Sequence, residues 1–455
     1  MKPSRTAAVI LAAGKGTRMK SRWPKVMHRL AGRPMIGHVV ESLRPLRCDP
    51  VIAVIAPGME DVAKAVAPAA VAYQRKQLGT GHAVTAAASR LRGIKGDLLV
   101  LYGDTPFIST ATLQAMLRRR RAGDDPAIVV LGMRPTDPGE YGRLVLGRDG
   151  GLEAIVEARD ATSDERAIGL CNSGVMALDA PRVLPLLKAL RNDNAKGEYY
   201  LTDLVGLARA QGWRAAIVEA PAEELVGVNS RADLAAAEAL LQARLRRRAM
   251  AQGATLIDPA SVFFSADTRL GRDVVIGPNV VFGPGVAVGD NVEIRAFCHI
   301  EGARIGAGAV VGPFARLRPG AVLGTGAHVG NFVEVKNARL AAGAKANHLT
   351  YLGDAEIGAA ANIGAGTITA NYDGFRKSRT RIGAGVSVGS NSVLVAPVTV
   401  GKGAIIGAGS VVTETVPADA LVLARGRQTN LKGRARKFRA ERTRGLKSKS
   451  KPKRG

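Results

Sequence analysis

The second half of the chain carries its hydrophobic residues on a beat of six. From Ile276 the apolar positions run Phe282, Val288, Ile294 and Ile300, then Ile305, Val311, Leu317, Leu323, Val329 and Val335. The beat returns at Ile382, Val388, Leu394, Val400, Ile406 and Val412, and a glycine directly follows many of these residues. Such a period fits neither the roughly 3.6-residue turn of an α-helix nor the alternation of a strand. It predicts a solenoid in which each repeat makes one short strand and a turn, three strands closing a triangular coil. The apolar residue points into the prism and stacks on its equivalent one coil later. The residue after it, at the corner, needs little bulk and often a positive φ, which favours glycine. The beat breaks between Ile363 and Ile382, where Thr369–Ser378 contains the turn cluster Asn371-Tyr372-Asp373-Gly374. A loop projecting from a rigid solenoid is a place for function.

The first half has a different texture. Ala7–Leu11, Val51–Ala56, Leu98–Leu101 and Ala127–Gly132 read as short buried strands, with helical patterns such as Met35–Leu43, Gly81–Leu91 and Thr110–Arg120 between them. Alternating strand and helix predicts an α/β domain built on a mostly parallel, Rossmann-like sheet covered on both faces. Ala232–Ala251 holds only helix formers and reads as a long helical connector. The expected division is residues 1–231 for the first domain, 232–252 for the helical linker, 253–425 for the solenoid and 426–455 for a tail.

Composition changes the picture in two places. The net charge is +27 over 455 residues. From Arg425 onward there are fourteen Lys/Arg against the single acid Glu441. That run is expected to be disordered, with affinity for RNA, membranes or acidic partners; its partner is unknown and no nucleic acid is required for the rest of the reading. The remaining charge suits polyphosphate ligands. Three well-separated cysteines, Cys48, Cys171 and Cys298, make no disulfide framework. No apolar run is long enough to span a bilayer, and Met1–Thr6 is no signal peptide, so a cytoplasmic protein is expected.

Candidate chemistry starts at Leu11-Ala-Ala-Gly-Lys-Gly-Thr-Arg18, immediately after the first strand. Gly14 and Gly16 allow backbone N–H groups to turn toward an anion, with Lys15, Arg18 and Lys25 adding charge. The spacing is neither that of a P-loop nor that of a dinucleotide fingerprint, and a structural turn would look the same. Leu98-Leu-Val-Leu-Tyr-Gly-Asp104 ends a buried strand on a carboxylate. Strand ends of α/β sheets bind ligands, and an oxygen donor there suits Mg²⁺, although such an Asp also serves as a turn or helix cap. In the solenoid, Asn347-His348-Leu-Thr-Tyr351 places an imidazole in an aliphatic coil. An amine attacking a thioester must lose a proton, and imidazoles suit that base role.

Together these segments resemble the sugar-1-phosphate nucleotidyltransferases. More closely they resemble the bifunctional N-acetylglucosamine-1-phosphate uridyltransferase/glucosamine-1-phosphate acetyltransferases of the GlmU type. The motifs are LAAGKGTRM (11–19), PKVMH (24–28), QLGTGHA (77–83), YGD (102–104), YGRL (141–144), IVEARDAT (155–162), NSG (172–174), GEYYLTD (197–203) and GVNSRADL (227–234). RPGA from Arg318, VGNFVEVKNARL from Val329 and NHLTYLGDAEIGAAANIGAGTITANYDG from Asn347 carry the second half of the likeness. It spans about residues 5–425.

The resemblance implies a left-handed parallel β-helix for the solenoid, and roles for individual residues. Leu11, Ala12, Ala13, Gly14 and Lys25 would hold UTP, while Gln74, Gly79 and Thr80 would read the uracil. Tyr102, Gly103, Gly142, Glu157 and Asn172 would line the sugar pocket of UDP-N-acetylglucosamine. Asp104 and Asn229 would bind Mg²⁺, and Arg18 and Lys25 would stabilise phosphate charge. His348 would be the general base of acetyl transfer. Arg318, Lys336, Tyr351 and Asn362 would bind glucosamine-1-phosphate. Ala365, Asn371, Tyr372, Ser390, Ala408 and Arg425 (or Arg427 in its place) would border acetyl-CoA. Family members are homotrimers with this site between subunits. Asn347 stands where the family commonly has glycine, and a second Asn beside the base could alter its hydrogen bonding.

The implied activity is acetylation of glucosamine-1-phosphate, followed by uridylyl transfer from UTP to N-acetylglucosamine-1-phosphate. The alternative is a monofunctional uridyltransferase whose β-helix only oligomerises. A third reading, nucleic-acid binding or assembly through the tail, would leave the His348, Lys336 and Arg318 set without a purpose.

Overall fold

The computed structural model describes residues 5–194 and 196–449, with side chains through residue 443. The chain divides into two compact units. One is Met1–Ala251 with Phe263–Thr268 and Phe282–Pro284, and the other is Gln252–Val262, Arg269–Val281 and Gly285–Gly455.

The first unit is built on a sheet whose strands run, edge to edge, Ala215–Glu219, Ile128–Met133, Cys171–Asp179, Asp97–Tyr102, Thr6–Leu11, Val51–Ile55 and Ala70–Tyr73. All are parallel except Cys171–Asp179, which is antiparallel to both neighbours. The first strand is buried at every position. Ala7, Val9 and Leu11 enter one apolar layer while Ala8 and Ile10 enter the other, the alternation a strand imposes when both faces are covered. Met35–Leu43 and Thr110–Arg120, both helices as expected, cover the second layer; Thr80–Ala87 and Leu204–Ala210 cover the first. Strand Asp97–Tyr102 aligns Leu11 with Tyr102, so two chain segments leave the sheet side by side at its carboxyl edge.

The helix Arg231–Ala251 is bonded into this unit. Gln242 donates to the Phe264 carbonyl at 2.7 Å and accepts from the Phe264 N–H at 2.8 Å, and Glu238 accepts from the Ala31 N–H at 2.8 Å.

The second unit is a stack of two- to four-residue strands forming three parallel sheets. All seventeen residues of the six-residue beat given above are buried. Equivalent residues stack coil upon coil, as in the column Ile276, Ile294, Val311, Val329, Ala346, Ile363, Val388 and Ile406. A second inward line, two positions earlier in each repeat, is filled by Val274, Val280, Val286, Val292, Cys298, Ala303, Ala309 and Ala315.

One detail of the repeat differs from expectation. Except at Gly312 (φ 94°), the glycine directly after the apolar residue is not in the left-handed region; it is needed for close approach. A Cβ on Gly324 would lie 2.7 Å from the Ala342 nitrogen of the next coil. Positive φ falls instead three residues after the apolar position, at Gly308 (66°) or Asn279 (57°) for example. Phenylalanine occupies that position at Phe297, Phe314 and Phe332, with φ of 61°, 57° and 55°.

The tail also differs. Residues 434–449 form a helix where disorder was expected, and every residue from 426 to 443 is exposed. Arg, Lys and Ala are strong helix formers and no proline intervenes before Pro452. Residues 450–455 of the tail, and most of Met1–Thr6, lie outside the described residues. The three cysteines are free thiols, and burial pushes those of Cys48 and Cys298 up to about 11. Among the described residues no helix is long and apolar enough to cross a membrane.

The close approach gives a test. Gly324→Val is expected to destabilise the solenoid by about 1–3 kcal/mol through forced backbone shift. Gly308→Asn, at an open position with nothing within 4 Å of a Cβ, should cost well under that. Denaturant titrations of both variants check the contrast; equal losses would place the constraint elsewhere.

Candidate active sites

At the carboxyl edge of the first unit's sheet, a cavity of about 220 Å³ is lined by Leu11, Ala12, Ala13, Gly14, Lys25, Gln74, Gly79, Thr80, Tyr102 and Asp104. The structure thus brings together ten of the residues expected there. A Cβ at Gly14 would meet nothing within 4 Å, whereas one at Gly79 would lie 2.6 Å from the Tyr199 carbonyl. Gly14 therefore leaves room for a ligand, while Gly79 lets the wall close. Gln77 and Glu198 also line the cavity although the reading of the sequence did not single them out.

Lys25 organises the charged end. Its ammonium donates to the Asp104 carboxylate and, at 3.0 Å, to the side-chain oxygen of Asn229. Two oxygens from distant parts of the sequence therefore converge on one positive charge. The Val228 N–H donates to the Asp104 carbonyl at 3.0 Å, and Asp233 accepts from the N–H groups of Asn229 and Ser230 at 2.9 Å each. Arg18 is exposed on the turn Thr17–Met19 and acts electrostatically on Asp233. Asp104 and Asn229 form a donor pair that fits Mg²⁺: few protein ligands, all hard oxygens, with room for phosphate oxygens and water. Among the described residues no group of three or more His, Cys, Asp or Glu forms a metal cluster.

Gln74 shows how a base could be read. Its amide nitrogen is engaged by the Gly79 carbonyl at 3.0 Å and the His82 ring at 3.1 Å. Its carbonyl oxygen is then the group left to accept from a ligand N–H.

Farther along, Gly103 donates its N–H to the Leu11 carbonyl at 2.9 Å, and the Gly142 carbonyl accepts from the Asn172 N–H at 2.8 Å. Asn172 in turn accepts from the Gly174 N–H at 2.8 Å, and a Cβ at Gly174 would lie 2.6 Å from the Tyr102 ring. Burial raises the Tyr102 pKa, with the charges of Asp104 and Glu157 adding to it. Burial likewise raises that of Glu157; Lys196 opposes the shift, and Asp160, Asp203 and Glu198 reinforce it. These residues extend the site beyond the cavity toward Glu157.

In the second unit, His348 is exposed at a corner of the prism. Its carbonyl accepts from Thr350 Oγ1 at 2.7 Å, and its Nδ1 lies 2.6 Å from the side-chain oxygen of Asn331. The Asn347 side-chain oxygen is not the ring's acceptor: it is buried without a hydrogen-bond partner. The register sets Ala346, Ile363, Val388 and Ile406 in one column. The residues two positions on, His348, Ala365, Ser390 and Ala408, therefore climb one corner. Arg425 closes the column, donating to the Ala408 carbonyl at 2.7 Å.

The next face carries the cations. Glu334 pairs with Tyr351 in register and Lys336 with Gly353, and Arg318 donates to Glu334 at 2.8 Å. Lys377, on the insertion, was not among the expected residues. It stands against Lys336 and, with burial and Arg318, lowers that ammonium's pKa. Asn371 is buried and donates to Asp354, which also accepts from Asn337 at 2.5 Å. Burial pushes the Asp354 carboxyl up, but the amides of Asn337 and Asn371, with Lys377 and Lys336, outweigh it and hold its pKa below the ordinary range. Tyr372 is exposed on the loop, and Asn362 is exposed beside Lys345 and Ser387 in register.

Comparison with known proteins matches both units. A family model described as a MobA-like NTP transferase domain covers residues 8–254, and the six-repeat bacterial transferase hexapeptide model covers 267–302, 302–337 and 379–414. The chain is similar to the bifunctional protein GlmU of Paramagnetospirillum magneticum, 60% identical over 97% of this chain and 98% of that one. It is similar also to that of Rhodospirillum rubrum, at 61% over 96% and 98%. The Zymomonas mobilis protein of the same description is 51% identical over 95% and 97%. Alike over nearly its whole length and in both units, the chain belongs to the GlmU family of bifunctional proteins.

Proposed function

We propose that the two units carry successive steps, and that the residues gathered above divide between them. The second unit moves the acetyl group of acetyl-CoA onto the amine of glucosamine-1-phosphate. The first moves the uridylyl group of UTP onto N-acetylglucosamine-1-phosphate and releases pyrophosphate. The catalytic divisions are residues 1–231 and 253–425, joined through the helix that follows the first.

In the first site Gln74 accepts from the uracil N–H, and the turn at Leu11–Gly14 cradles the phosphates with its N–H groups. The sugar phosphate oxygen attacks the α-phosphorus in line, a reaction that demands positioning and charge neutralisation more than a proton-transfer base. Lys25 and Arg18 supply that neutralisation. Asp104 and Asn229 would hold Mg²⁺, which supplies further positive charge to the triphosphate when bound. The sugar lies along Tyr102, Gly103, Gly142, Glu157 and Asn172.

In the second site His348 takes the proton from the amine as it attacks the thioester carbonyl, and coenzyme A departs as its thiol. Arg318, Lys336, Tyr351 and Asn362 receive the sugar phosphate, with Lys377 as a further cation. The observation that carries this reading over a scaffold-only solenoid is the placement of two cations, Arg318 and Lys336, on the face beside the exposed His348, with Lys377 of the insertion set against Lys336. A purely structural coil gains nothing from cations that repel one another.

The same corner supports a homotrimer. Phe297, Phe314 and Phe332 stack at 4.9 and 5.2 Å between ring centroids, each about half exposed, and Leu349 follows at 60% exposure. Side chains of this bulk in the left-handed region cost about 1–2 kcal/mol each, and such strain points to function. Above His348 the equivalent positions become Gly366, Asn391 and Gly409, so the aromatic bulk is missing beside Ala365, Ser390 and Ala408, where the acetyl-CoA chain would lie. The apolar ladder below the base is the surface a neighbouring copy covers. The loop from Tyr372, whose tip Phe375 is 93% exposed, reaches for that neighbour.

Three outcomes are expected. Asp104→Ala abolishes uridylyl transfer and leaves acetyl transfer intact, while His348→Ala does the reverse; loss of both activities from one change in folded protein would refute the division. Phe314→Asn relieves backbone strain yet weakens self-association at least about tenfold, a loss of about 1.4 kcal/mol, read by sedimentation; unchanged assembly would remove the ladder from the interface. Asp354 has a lowered folded-state pKa, so its stabilisation is present above the unfolded carboxylate value of about 3.9 and is lost as pH falls through the folded value. The melting-temperature gap between wild type and Asp354→Asn should be full at neutral pH and close below about pH 4. A gap unaffected by pH would mean that the carboxylate charge is not what anchors the loop.

A further inference from the structure

We infer that Asn331 is a positioning residue for acetyl transfer: its side-chain carbonyl fixes the tautomer and the direction of the His348 ring. The inference rests on His348 acting as the base.

Asn331 lies directly beneath His348 in the coil register. Its side-chain oxygen stands 2.6 Å from His348 Nδ1. An amide oxygen only accepts, so the ring nitrogen facing it must carry the proton. Nε2 is then the unprotonated nitrogen, turned away from Asn331, with its lone pair free to take a proton from the amine. In the other tautomer Nε2 would carry the hydrogen and the ring could not act as a base at that atom. The orienting contact of a catalytic imidazole is what selects between these two states.

The backbone holds both partners in place. The Leu349 N–H donates to the Asn331 carbonyl at 3.0 Å, and the His348 carbonyl is held by Thr350 Oγ1 at 2.7 Å. Imidazole and amide are thus fixed to adjacent coils of one rigid ladder, and little rotational freedom remains to be lost when substrate binds.

Other neighbours do not fill the role. Asn347 Oδ1 is buried without a partner, so it is not the ring's acceptor. His328 lies on the coil below, near enough for the two imidazoles to interact electrostatically. Burial chiefly, then Arg295 and Lys345, lower its pKa, with Glu293 opposing, which favours its uncharged form.

A neutral acceptor also differs from a carboxylate in a measurable way. It selects the tautomer without the strong charge attraction that would trap the imidazolium after proton transfer.

The experiment uses the full-length protein and measures acetyl transfer to glucosamine-1-phosphate by thiol release, across pH, for wild type, Asn331→Ala, Asn331→Asp and His348→Ala. Uridylyl transfer and assembly state serve as folding controls. Asn331→Ala should lower kcat at least about tenfold with KM for the sugar phosphate within about twofold. Asn331→Asp restores an acceptor, so it should recover much of that loss while moving the acidic limb of kcat/KM to higher pH, because a carboxylate favours the charged ring. An Ala variant with wild-type kcat, or an Asp variant with neither recovery nor a shifted limb, overturns the inference. If His348→Ala itself keeps acetyl transfer, the base assignment fails instead, and the two failures are told apart.

Discussion

Everything in the second unit depends on one constraint: each coil must hydrogen-bond in parallel to the next. Parallel pairing sets neighbouring strands roughly 4.8 Å apart, so a residue's place in its repeat decides what lies above and below it. That spacing forces glycine where backbones nearly touch, as at Gly324. It stacks Phe297, Phe314 and Phe332 into a ladder. It also places Asn331 beneath His348 and Ala365, Ser390 and Ala408 above it. A corner of such a scaffold is rigid because no residue can move without disturbing two coils.

The first unit solves a different problem with the same means. A buried parallel sheet holds Leu11 and Tyr102 side by side, and the turns that follow them carry the glycine-rich segment and Asp104 to one cavity. Lys25 is the pivot there, because it brings Asn229 to Asp104 across most of the domain's sequence. An ammonium bridging two oxygens is well suited to exchange its partners for the phosphate oxygens of the proposed nucleotide.

Features with a strong local period were legible in the sequence. The six-residue beat located the inward column residue by residue, and Met35–Leu43 and Thr110–Arg120 match the helices observed. The residues that line the first unit's cavity were legible too, because their motifs flank strand ends. Features set by tertiary contact were not. Strand Cys171–Asp179 carries Asn, Ser and Gly and shifts register between Asn172 and Met176, so its alternation is broken. The second inward line, largely alanine toward the middle of the solenoid, is too small to register as a hydrophobic beat. Left-handed φ was expected one residue after the apolar position, because glycine recurs there. Steric approach to the next coil requires that glycine, while Asn, Asp and even Phe tolerate the left-handed site. Lys377 and Asn331 became visible only once adjacent coils and the insertion were placed against one another.

The central claim is that one chain holds two independent active sites acting in sequence. It is tested most directly by complementation. Asp104→Ala and His348→Ala proteins would be supplied, separately and mixed, with glucosamine-1-phosphate, acetyl-CoA and UTP, and UDP-N-acetylglucosamine would be measured. Neither variant alone should form product, and the mixture should form it at a rate set by the slower surviving site. Product from either variant alone, or none from the mixture while each retains its own half-reaction, would contradict the account.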